Sequence, residues 1–144
     1  MALKVELKPG ERILIGDCVL TNSDQRTRFL LEGSVPILRE KDIMTKEAAD
    51  TPAKRLYLVL QLMYVSHDPR EHHEIYFSLM RDIMQAAPSA WSHIENINNQ
   101  ILTGDLYKAL KQAKKLIAYE QELFQNAERG QSLRHGGAAD RKSA

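Results

Sequence analysis

The chain has a single cysteine, Cys18, so no disulfide can form within it. A reducing compartment suits it, and only a bridge between two chains stays open. Charge of one sign is equally scarce. Lys and Arg number 20 against 19 Asp and Glu, a formal balance of +1, which gives no whole-molecule field for nucleic acid or an anionic membrane; a polyanion site must be local. No apolar run approaches the roughly 20 residues that cross a bilayer. The opening MALKVELKPGERIL places charges every few positions and lacks the apolar core of a signal peptide. The expectation is a cytoplasmic protein that neither spans a membrane nor leaves through a cleaved signal. No GxSxG, Walker loop or GxGxxG frames any serine, histidine or carboxylate. Gly16-Asp17 follows a predicted strand but opens no helix, so it makes no phosphate cradle. These absences put a binding role ahead of catalysis and imply no cofactor. There is no internal repeat.

The chain does have ample apolar content. Its 144 residues are 43% hydrophobic and 27% charged, which suits one folded unit with sub-domains and not a disordered chain. Up to Met44, short alternating runs are broken by turn formers: LKVEL, RILIG, DCVLTN, RTRFLLEG and VPILRE. They predict five short strands in an antiparallel meander or small barrel. Lys8-Pro9-Gly10-Glu11 fits a type II turn, with Pro fixing φ at its second position and Gly taking positive φ at its third. A sheet of about 40 residues buries too little by itself, so it needs the rest of the chain or a second copy.

From Thr45 the spacing becomes helical. Thr51 caps a helix with Pro52 at its first position, and Leu56, Val59, Leu60 and Met63 form its apolar stripe. Asp68-Pro69 repeats the device, with Ile75, Leu79 and Ile83 on the next stripe. A third helix is predicted from Pro88-Ser89 to Gly104. Asp105 then caps the longest one, with Leu106, Leu110, Ala113, Ile117 and Leu123 on one face and Lys108, Lys111, Lys114 and Lys115 beside it. After Arg129 periodicity and bulk are lost, which predicts a mobile tail over 129–144.

Several groupings have a plain structural reading beside a functional one. His67, Asp68 and His72 could gather a metal across a turn, but they match neither HExxH nor a Cys/His finger, so a solvated helix face is expected and no metal. The stripe from Leu56 to Met63 could be a partner groove, yet stripes of this kind are usually core. The lysines of the last helix could touch phosphates, but Glu120 and Glu122 dilute them, and a solvated face is the simpler reading. In the strand segment the signs balance, so a site there would read base edges in a single-stranded RNA loop, with arginine forking onto guanine.

PGERILIGD, from Pro9 to Asp17, and VPILREKDI make the strand segment resemble the carbon-storage regulator CsrA family. That resemblance implies five strands per chain, an intertwined homodimer, and binding to GGA-containing loops of messenger RNA leaders. The first and last strands, from different chains, would form the RNA surface. By position it puts Lys4, Val5 and Lys8 along the first strand and Arg39 at the place of the family's RNA-contacting arginine, with Lys41 just beyond. Pro36 departs from the family's pattern and removes a backbone donor, which fits an edge strand or a bulge.

A broader resemblance covers residue 2 to about residue 128. LKVELKPGERILIG, QRTRFLLEG, PILREKDI, ADTPAKRLYLVLQLMY, AAPSAW and GDLYKALKQAKKLIAYEQEL fall in order as in the FlbT family of flagellum biosynthesis repressors. It implies a cytoplasmic, non-enzymatic regulator that binds the 5′ untranslated leader of flagellin mRNA and represses its translation or promotes its decay, although some members act positively.

The expected architecture is therefore α+β: a β module over 1–44 that contacts RNA, then a bundle of about four helices over 45–128. The expected RNA-binding residues are Lys4, Val5, Lys8, Arg39 and Lys41. Arg39 either reads a base or pairs with Glu40, Asp42 or a helix end. The alternative function is a protein-interaction regulator whose helices hold a flagellar protein or chaperone, with an indirect effect on mRNA.

Overall fold

The computed structural model of the chain describes residues 2–136. The strands are β1 (Ala2–Leu7), β2 (Arg12–Ile15), β3 (Cys18–Thr21), β4 (Thr27–Glu32) and β5 (Ile37–Arg39). Four helices follow: α1 (Pro52–Val65), α2 (His73–Ala86), α3 (Trp91–Leu102) and α4 (Leu106–Gly136). This is the α+β arrangement that the switch in periodicity predicts.

The strands form an antiparallel β1-β4 pair and an antiparallel β3-β2-β5 sheet. Only β2 and β3 are both consecutive and paired, so the strand order is not a meander. Their hairpin turns on Gly16-Asp17, where φ is +62° at Gly16 and, among the described residues, no non-glycine residue has positive φ; this is the II′ pattern that matches strand twist. The Lys8–Glu11 turn forms as predicted. The Glu11 N–H donates to the Lys8 carbonyl at 3.0 Å, and Gly10 takes φ +75°.

The departure from a meander has a local cause. The Asn22 side-chain amide donates to the carbonyls of Leu7 (3.2 Å), Lys8 (2.9 Å) and Gln25 (2.7 Å), and its oxygen accepts from the Thr27 hydroxyl at 3.0 Å. One side chain thus ties the end of β1 to the loop that starts β4. The chain leaving β3 is steered across to β1.

Two apolar cores result. Val5, Leu7 and Ile13 form the smaller, with Phe29, Leu31 and Ile37 packed around them. The larger lies among the helices, with Leu56, Leu60, Met63, Ile94, Ile97, Leu110 and Leu116 essentially inaccessible. Strand alternation lets β5 serve both: Ile37 packs on the strand core while Leu38, 1% exposed, belongs to the helical one. Pro36 precedes the strand, and its carbonyl accepts from the Gly16 N–H at 2.7 Å. β5 pairs only with β2, an edge position at which a missing donor is tolerated.

α1 then clamps the chain that leaves β5. Tyr57, Gln61 and Tyr64 stand four and three residues apart on one helix face. The Tyr64 hydroxyl bonds the N–H and carbonyl of Ile37 (3.2 and 3.1 Å), Tyr57 donates to the Asp42 carbonyl (2.6 Å), and the Gln61 amide bonds both the N–H and the carbonyl of Met44 (2.7 and 3.1 Å). Buried Gln61 is fully satisfied by this backbone and would be costly without it.

The helix caps follow the sequence. Thr51 accepts from the Lys54 N–H at 3.2 Å and Asp105 from the Lys108 N–H at 3.1 Å. Asp68 accepts from the Arg70 N–H at 3.2 Å, but it caps a 3₁₀ turn, Pro69–His72, that runs into α2. The predicted α1 stripe is buried throughout. The α2 stripe is displaced: Ile75 is 55% exposed, whereas Tyr76 and Ile83 are buried. The Tyr76 hydroxyl donates to Asn98 of α3 at 2.5 Å, so its ring fills the position expected for the isoleucine. On α4, Ala109 and Leu116 join Leu110 and Ala113 in the core, while Leu106, Ile117 and Leu123 are half-buried. α4 packs against α1 and α3, and a Glu120 carboxylate oxygen accepts from the Ala53 N–H at 3.0 Å in the first turn of α1. The helix runs on to Gly136, past the point where a tail was expected; the remainder of that tail, 137–144, lies outside the described residues.

Two expected outcomes test this packing. Leu38→Ala should cost about 2–5 kcal/mol in denaturant unfolding, with strand and helix signals moving together; an unmoved helical transition would show that the cores are independent. Burial also raises the Tyr57 and Tyr76 hydroxyls above their ordinary value of 10.0. Both tyrosines then stay protonated in the native state where the unfolded chain would ionise, so their contribution is complete below pH 10 and is lost as pH rises beyond it. An alkaline denaturation series should fall in that window, and Tyr76→Phe should flatten the fall.

Candidate nucleic-acid interface

Arg39 closes β5 opposite Ile13 of β2, so its side chain lies on the same side as Ile37, toward β1. Its guanidinium donates to the Glu6 carbonyl at 2.9 Å and stands 3.7 Å from the Glu11 carboxylate, with the side chain 45% exposed. The pairings expected with Glu40, Asp42 or a helix end are absent because other groups occupy those acids. Glu40 accepts from the Arg12 N–H at 2.9 Å and pairs with its guanidinium at 3.5 Å, while Asp42 pairs with Lys114 of α4.

The other predicted residues divide. Lys8 opens the β1-β2 turn and Lys41 lies in the 3₁₀ turn after β5; both are exposed, and among the described residues neither forms an ion pair. With Arg39 they line one open cleft of about 880 Å³. Lys4 is exposed on the outer face of β1, opposite Leu30 of β4, and lines a second cleft that Arg39 also touches. Val5 departs from expectation. Its side chain is 2% exposed and packed in the strand core, because inward positions alternate with Lys4 and Glu6 along β1. Nearly inaccessible, it still lines the second cleft together with Lys4 and Arg39.

The larger cleft also brings in Glu6, Glu11, Arg26 and Glu40, which were not among the expected RNA-binding residues. Each carboxylate there has an arginine: Glu6 lies 3.2 Å from Arg26 and 3.6 Å from Arg28. The hydrogen bond from Arg26, helped by the charges of Arg26 and Arg28 and opposed by partial desolvation, holds the Glu6 carboxyl below its usual range. Cations and anions alternate around the cleft, so it presents donors beside acceptors. Such a lining suits the edge of a nucleobase better than a run of phosphates. Glu11 was the legible member, since the Pro-Gly-Glu turn fixes its place; the others depend on strand pairings that no local pattern encodes.

Among the described residues, no three His, Cys, Asp or Glu side chains converge as metal ligands, and Asp68 is engaged as a cap. No helix is long and apolar enough to cross a membrane.

Comparisons with known proteins bear on most of the chain. The family model described as "Flagellar protein FlbT" matches residues 3–124. A "Probable flagellum biosynthesis repressor protein FlbT 1" of Bradyrhizobium diazoefficiens is 64% identical over 124 residues, covering 85% of this chain and 85% of that protein. A "Probable flagellum biosynthesis repressor protein FlbT" of Rhodopseudomonas palustris is 51% identical, covering 86% and 98% respectively. The "Flagellum biosynthesis repressor protein FlbT" of Caulobacter vibrioides is 32% identical over 142 residues, covering 96% and 99%. No solved structure matches the chain.

Proposed function

Because this chain belongs to the FlbT family of flagellar proteins, we propose that it is a cytoplasmic, non-enzymatic regulator of flagellum biosynthesis that binds the 5′ untranslated leader of flagellin mRNA. Binding there represses translation or promotes decay of the transcript. The repressor names of the relatives support the regulatory role. The observation that carries the RNA role is the meeting of Arg39, Lys8 and Lys41 on one open cleft whose carboxylates are already paired. Two unpaired lysines give modest phosphate attraction, and Arg39 supplies a planar fork able to take guanine at two points. To do so it must leave the Glu6 carbonyl and the Glu11 carboxylate, exchanging those two acceptors for the two on the guanine edge.

A homodimer belongs to the same reading. Among the described residues β1 pairs only with β4 and so keeps an open edge, whereas the outer edge of β5 is taken by Tyr64; Leu3 and Val35 are 50% and 53% exposed. A second copy would cover an edge that sheets ordinarily protect. Light scattering of the purified chain should give twice the 16.4 kDa monomer mass; a monomer at micromolar concentration would defeat this part.

The second reading is a helix-borne interaction with a flagellar protein or chaperone. Its support is the near-zero net charge and the exposed Leu62, Ile75 and Phe77 on α1 and α2. Binding of a flagellin leader at two salt concentrations separates the two. The wild type should bind more weakly at high salt, and Arg39→Ala should lose about 1–3 kcal/mol, the scale of one bidentate base contact, with folding checked by circular dichroism. No binding by well-folded wild type at low salt would move the function to the helices.

A further inference from the structure

The cleft already described is balanced in charge, but the surface on the other side of Arg39 is not. The second cleft, of about 370 Å³, and a third, of about 350 Å³, open from Arg39 toward α4. Together they carry Lys4, Arg39, Lys41, Lys111 and Lys114 against one carboxylate, Asp42, which Lys114 already neutralises. Tyr107 lines both. It stands in the first turn of α4, behind the Asp105 cap, and is 41% exposed although its neighbours Ala109 and Leu110 are buried. Its ring is braced by Tyr64 at 6.0 Å, and the Lys111 ammonium lies 5.0 Å from its centroid. The bracing is indirect evidence of a fixed platform, because the same Tyr64 holds Ile37 of β5 through its hydroxyl.

We infer that Tyr107 is a stacking platform for a nucleobase of single-stranded RNA, and that Lys111 and the lysines around it take the flanking phosphates. A flat, half-exposed ring in a cationic track is the arrangement by which single-stranded nucleic acids are held without reading sequence. The ring's present occupant is exchangeable: an exposed cation–π contact is weaker than a stacked base, and the displaced ammonium moves to a phosphate. The strand residues and α4 thus act on one strand of RNA. Arg39 at their meeting point reads an edge, and Tyr107 holds the neighbouring base by its face. This assignment rests on the leader-binding reading above and adds the helix surface to it.

The test uses the full chain and a fluorescently labelled single-stranded flagellin leader RNA, titrated at two salt concentrations. Tyr107→Ala should weaken binding roughly 5- to 150-fold with the salt slope unchanged, because stacking involves no counterion. Tyr107→Phe, which keeps the ring, should bind like wild type. Lys111→Gln should lower the slope of log K against log salt by about one. If wild type binds while Tyr107→Ala binds equally well, the platform is overturned and the leader-binding reading stands. If Tyr107→Phe loses as much as Tyr107→Ala, the hydroxyl and not the ring makes the contact, and stacking is overturned. Failure of the wild type to bind would overturn both readings. Thermal melting of each variant distinguishes lost binding from lost folding, and the phenylalanine and glutamine variants retain the packing volume if the alanine variant unfolds.

Discussion

The structure depends on the hydrogen-bonded ladder between α1 and the chain from Ile37 to Met44. Tyr57, Gln61 and Tyr64 satisfy backbone groups at Asp42, Met44 and Ile37 that neither sheet can reach. Leu38 adds apolar contact at the same seam, since β5 is too short to hold itself and sends alternate residues into two cores. A β module of this size buries little on its own. Its attachment to the helices is therefore part of how it folds, and the position of Arg39 is inherited from that attachment.

The same seam organises charge. On its strand side, arginines and carboxylates are matched nearly one to one, and surface pairs of this kind contribute little to stability. Their value lies in orientation: the Glu6 carbonyl and the Glu11 carboxylate aim the Arg39 guanidinium along the cleft. On the helix side, lysines dominate. A net charge near zero thus conceals an uneven surface, with a charge-balanced half and a cationic half.

Much of this was legible in the sequence, where local chemistry dictates local geometry. Pro9-Gly10 gave the turn, Thr51-Pro52 and Asp105 gave the caps, and the spacing of Leu56, Leu60 and Met63 gave the α1 core face. What local patterns do not encode is who pairs with whom. The meander did not form because one amide, Asn22, links the carbonyls of Leu7 and Lys8, distant in sequence, to that of nearby Gln25. The α2 stripe held at Leu79 and Ile83 but not at Ile75, where Tyr76, with a partner on α3, takes the interior instead. Of the residues expected to meet RNA, Arg39, Lys8 and Lys41 share one cleft, and Val5, on the strand where it was expected, is buried in the strand core. Lys111 was visible only as one lysine of a face read more simply as solvated, and Tyr107 gave no warning, since a helix face shows what it adjoins only after the chain has folded back on it.

The Tyr57, Gln61 and Tyr64 ladder also orders events in time. Synthesis delivers residues 1–44 before any of the three side chains that complete them, and the Asp42 partner Lys114 comes later still. As the chain leaves the ribosome, the last strand emerges with its backbone groups unanswered, and it gains those partners only when the first helix follows. The surface that would meet RNA is therefore among the first parts made and among the last to be finished.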